Sequence, residues 1–145
     1  MKHFSAVTVV VASLVALIAA RPVWAHHSHA MFDGSKVVTL EGTITGVRFA
    51  NPHVYLQVRV TRKDGTTLAA PETWAIEMST VQNQTQRGLT PNVLTHAAAI
   101  VVKVNPLFSG QHSGNYTNVV SINGVQNTST DDDWKPAGNE AAAPR

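Results

Sequence analysis

The chain has 145 residues, of which 43% are hydrophobic, 14% charged and 6% aromatic, with no cysteine and a formal net charge of +2. That length suits one domain. The composition excludes a coiled coil and an acidic disordered chain, and the missing cysteine excludes a disulfide-stapled fold, a thiolate metal site and a cysteine nucleophile.

Met1–Ala25 reads as an export signal. Lys2 and His3 form a short basic start, 6–20 is an almost unbroken apolar run, and Val23-Trp24-Ala25 supplies a small-residue cleavage site. The run falls short of the roughly 20 apolar residues a spanning helix needs, so no membrane anchor is expected after cleavage. Cutting after Ala25 removes Lys2 and Arg21. The remaining basic residues then balance the nine acidic ones, and the mature chain is neutral with histidine uncharged. It carries no basic helix and no strong basic patch, which argues against nucleic acid. The expected location is periplasmic or secreted.

The mature chain opens with a His-rich arm over 26–36. A domain over 37–124 follows, and then a disordered tail over 125–145, where Asp131–Asp133, two prolines and a run of alanines show no periodicity. Within the domain, 37–49 alternates as a strand, and its apolar phase shifts after Gly46, the signature of a bulge. A second strand covers 53–61, with Val54, Leu56, Val58 and Val60 on one face and His53, Tyr55, Gln57 and Arg59 on the other. Lys63-Asp64-Gly65 is a turn. A third strand covers 68–78, with Trp74, Ile76 and Met78 facing inward and Pro71 confining its start to an edge. Ser79 is the expected N-cap of a short helix over 80–87 that Gly88 stops. After an irregular stretch, strands cover 100–105 and 116–123. Five strands with a helix between the third and fourth give a mainly β fold, a small partly open barrel of the OB type.

Histidines carry the chemistry. His26-His27-Ser28-His29 stands at the new N-terminus, and imidazole is a good ligand for copper, zinc and nickel. A cut after Ala25 gives His26 both an α-amine and a ring to chelate one copper ion. A cut one residue earlier puts His27 third in the chain, which suits square-planar Cu(II) or Ni(II). His53, after Asn51-Pro52, is the expected third ligand, with Glu77 orienting a ring nitrogen from the neighbouring strand. His96 and His112 read as surface residues. There is no G-x-S-x-G, Walker, G-x-G-x-x-G, H-E-x-x-H or C-x-x-C-H motif, so a binding role is expected rather than turnover. The rival reading is a metal-free interaction module, with Tyr55, Trp74 and Glu77 on one barrel face meeting a protein or an envelope component.

His26-His27-Ser28, Asn51-Pro52-His53 and Trp74-x-x-Glu77, in that order, resemble a family of short secreted bacterial proteins known only as a domain of unknown function. The resemblance implies an exported OB-like barrel with no assigned activity, and it raises His26, His27 and His53 as members of one site. The chain departs from the family pattern at Phe49 and Leu89, where tryptophan is usual.

Overall fold

The structure is a computed structural model that describes residues 29–138. The expected export segment, and with it His26, His27 and Ser28, lies outside the described residues, as does 139–145. After a short 3-10 turn at His29–Met31 come β1 (Val38–Arg48), β2 (Tyr55–Lys63), β3 (Thr66–Glu77), helix α1 (Val81–Gln86), β4 (Ala99–Pro106), β5 (Ser113–Ile122) and a two-residue β6 (Val125–Gln126). They form one sheet in the order β3-β2-β1-β4-β5-β6, and a parallel β3–β5 pairing bends it into a ring. That closing contact is short, Ala75–Glu77 against Ser113–Asn115, so the fold is mainly β and matches the expected small, partly open barrel.

Alternation explains the core. Val54, Leu56, Val58 and Val60 point inward and are fully buried, and Ile76, Ile100, Val102, Val104 and Val119 meet them from the other strands. The phase shift in β1 corresponds to register breaks between Glu41 and Gly42 and between Ile44 and Gly46. Gly42 has a second reason to be glycine: a Cβ there would collide with the Arg59 carbonyl. Asp64-Gly65 turns β2 into β3 with both residues at positive φ, the hairpin geometry such a pair favours. Asn123-Gly124 does the same, so the expected stop after β5 is a second hairpin leading into β6.

One local expectation holds and one changes. Pro71 lies inside β3, where four residues bulge between the Val60–Glu72 and Arg62–Thr67 pairs. β5 pairs with β3 only at Ala75–Glu77, so the start of the strand is an edge, as expected, and the bulge there asks no ladder donor of the proline. The helix begins one residue later than expected because Thr80, not Ser79, is its N-cap: its hydroxyl accepts from the Asn83 amide at 3.2 Å. Gln84, one of the helix's polar residues, is fully buried.

The largest change is the tail. Residues 125–138 are docked rather than loose. The Asn127 side chain donates to the Val119 and Asp133 carbonyls at 2.8 Å each, and accepts from the Ser129 and Lys135 amides. The Tyr116 hydroxyl donates to the Asp132 carbonyl at 2.7 Å. Arg87 pairs with Asp132, and half-buried Trp134 packs against the core. Side-chain bonds to backbone order this stretch, and they leave no hydrophobic period to read.

Candidate functional site

The β2–β3 ladder continues past the strand ends into the β1–β2 loop: Met78 N donates to Val54 O at 2.8 Å and Val54 N to Ser79 O at 3.0 Å. This staple sets His53 beside β3. Its Nδ1 lies 3.1 Å from the Met78 carbonyl oxygen. A carbonyl only accepts, so Nδ1 carries the proton and Nε2 keeps its lone pair. The Glu77 carboxylate stands 3.6 Å from the same nitrogen, too long for a hydrogen bond, and the two attract as charges only when the ring is protonated. Glu77 is buried and the His53 side chain is about one-third exposed.

Tyr55 joins this group. It pairs with Arg48 on β1 and Glu77 on β3, making one cross-strand row of cation, aromatic and anion. The Arg48 guanidinium sits 4.7 Å from the Tyr55 ring centroid, and the His53 ring meets Tyr55 edge-on at 6.5 Å. Burial pushes the Tyr55 hydroxyl above its usual value. A hydrogen bond to Glu77 and that residue's charge push it further, and Arg48 opposes them. Asn51 has a different job: its side-chain oxygen accepts from the Val81 amide at 3.2 Å and ties the loop to the start of α1.

Trp74 does not share a face with Tyr55 and Glu77. It points inward, nearly fully buried. Its indole N–H donates to Glu72 at 2.8 Å, and His112 stacks on its ring with centroids 5.5 Å apart and planes 13° apart. His112 Nε2 is 3.5 Å from the same Glu72 carboxylate, and the Lys63 ammonium lies 5.6 Å from the Trp74 ring. A cavity of about 320 Å3 opens here, lined in part by Asp33, Lys36, Phe108 and His112.

The arm enters at this second end. Phe32 bridges to Leu107, and Phe108 N donates to Met31 O at 3.1 Å. Asp33 anchors the entry. Hydrogen bonds from Ser35 and Lys36 hold its carboxyl below the usual carboxylate range.

The structure thus brings His53, Glu77 and Tyr55 together and separates Trp74 from them. His26 and His27 lie outside the described residues. Among the described residues no three His, Cys, Asp or Glu side chains cluster to hold a metal. The sequence reading missed Arg48, Gly46, Gln57 and Ala75, which line an open groove of about 480 Å3 beside Tyr55, and it missed His112 as the partner of Trp74. Cross-strand register reveals the first group and the parallel β3–β5 contact reveals the second; neither can be read along the chain. No described helix is long and apolar enough to cross a membrane.

No curated protein and no solved structure matches the chain. A family of unknown function, DUF6152, matches residues 14–118, from the expected export segment to β5 and short of the docked tail. That span holds every expected ligand and both histidine–carboxylate pairs, and the chain belongs to this family.

Proposed function

We propose that this is an exported binding module that carries a transition-metal ion, copper, through its N-terminal histidines, with His53 as the ligand supplied by the barrel. The observation that carries the reading is the contact of His53 Nδ1 with the Met78 carbonyl oxygen at 3.1 Å. A ring whose Nδ1–H is held by the Met78 carbonyl, with Glu77 alongside, offers its Nε2 lone pair, and metal-ligating histidines are oriented by this kind of contact. The His26 amine and ring and the His27 ring supply the remaining nitrogens, and copper suits an all-nitrogen set. The described residues hold no complete metal cluster, so the site requires the arm. Carriage or buffering of the ion is the role, because no catalytic motif accompanies the ligands.

The test is a calorimetric titration of the exported form with Cu(II) and Zn(II), after intact mass has established a free His26 terminus. Cu(II) should bind more tightly than roughly 10 μM, about −7 kcal/mol. His26→Ala and His53→Ala should each weaken it at least about tenfold, and His112→Ala should leave it unchanged. A free His26 terminus with no binding in that range would end the metal reading. Loss with His26→Ala alone would keep the arm and discard His53.

A further inference from the structure

The outward face of β1, β2 and β3 carries polar groups, Arg48, Tyr55, Gln57 and Arg59, that the metal reading does not use. Register arranges them in three cross-strand rows. The first is Arg48–Tyr55–Glu77, the second Gly46–Gln57–Ala75 and the third Thr43–Arg59–Thr73. The middle row is low because the neighbours of Gln57 are glycine and alanine. The Gln57 amide leans over Gly46, where a Cβ would lie 3.2 Å from Oε1. The result is the groove of about 480 Å3 beside Tyr55, its floor formed by Gly46, Gln57 and Ala75.

The walls set the charge. Arg48 of the first row lines the groove and Arg59 of the third stands one row beyond its lining; both are exposed. Among the described residues neither forms an ion pair, whereas Arg62 and Arg87 both do. The one acid in the walls, Glu77, is buried and faces Tyr55 and His53. Four residues of β2 separate Tyr55 from Arg59, on the order of 13 Å. The groove lining therefore offers the Arg48 guanidinium set against one aromatic ring, and one amide, with a second exposed guanidinium, Arg59, one row beyond.

We propose that this groove binds an acidic glycan, a chain of sugar rings bearing carboxylates. Guanidinium forks pair carboxylates bidentately. The Tyr55 ring, covered on one side by Arg48, offers its remaining apolar surface to a sugar ring, and Gln57 offers a donor and an acceptor for hydroxyls. Single-stranded nucleic acid fits less well, because such ligands need several stacking rings and this face has one. The site is independent of the metal reading, since none of its contacts uses the arm.

The experiment titrates the exported protein with galacturonic acid oligomers of three to six units, followed by NMR of the backbone amides and by calorimetry. Shifts should fall on Gly46, Gln57 and Ala75, and binding should weaken with added salt. Arg48→Gln and Arg59→Gln should each weaken binding about five- to tenfold, Ala75→Leu should abolish it by filling the floor, and Lys103→Gln should leave it unchanged. A carboxyl-reduced oligomer should bind at least about tenfold more weakly. His26→Ala and EDTA should have no effect, so this result stands or falls apart from copper binding. Melting curves establish that each variant is folded. No binding at roughly 5 mM oligomer, about −3 kcal/mol, equal binding of the reduced oligomer, tighter binding of oligo-dT, or full binding by folded Ala75→Leu would each overturn the proposal.

Discussion

Two histidines, each beside a glutamate, occupy different sites on this barrel and are held differently. His53 stands 3.6 Å from Glu77 and His112 stands 3.5 Å from Glu72, so the charge partner is the same. His53 has one nitrogen fixed by a backbone carbonyl, which leaves the other nitrogen on a ring about one-third exposed. His112 lies flat on Trp74 and shares its glutamate with the indole N–H. A backbone acceptor fixes a tautomer and offers a lone pair; an aromatic stack covers a core residue. Nearly equal distances to a carboxylate thus go with unequal settings: a ring nitrogen left open at the first site, a lid over Trp74 at the second.

Trp74→Ala should break the second site and spare the first. Removing a buried indole costs roughly 3–5 kcal/mol, measured by urea unfolding. The His112 ring protons should lose their aromatic upfield shift while those of His53 keep theirs. A loss below about 1 kcal/mol would mean that Trp74 is not the core residue its burial indicates.

Glu77→Gln should sharpen the first site. It keeps the shape and removes the charge, at a cost of about 1 kcal/mol. The Tyr55 phenol should then titrate at lower pH, though still above its usual value, because burial, the largest cause, remains. Glu72→Gln should leave Tyr55 where it is. In the parent protein the raised Tyr55 value contributes stability below the ordinary phenol range, and this stability is lost as pH rises through the folded value. Ultraviolet titration of the phenolate measures both effects.

The smallest effect belongs to Asp33, where the arm enters. Its carboxyl is held low by Ser35 first and then by Lys36. Its contribution is therefore present above the ordinary carboxylate value and is lost as pH falls through the folded one. Asp33→Asn should flatten the acid limb of a stability-against-pH curve and leave the neutral region and the alkaline Tyr55 limb intact.

Much of this was legible beforehand because it is local. Val54, Leu56, Val58 and Val60 alternate, and that period names their buried face without knowledge of any partner. The Gly46 shift announces a bulge, and Asp64-Gly65 announces a hairpin. His53 and Glu77 could be paired in advance because adjacent antiparallel strands joined by a tight turn have few available registers. The docked tail was not legible, because Asn127 and Tyr116 order it through bonds to backbone carbonyls.

The sequence by itself determined the inward faces, the turns and the strand order along the chain, since all of these follow from local periodicity and residue type. Only the tertiary structure decided which outward residues became neighbours. Gly46 and Ala75 flank Gln57 because two separate registers align them. His112 covers Trp74 because β5 pairs with β3 in parallel, a contact between segments far apart in the chain that no short-range pattern encodes.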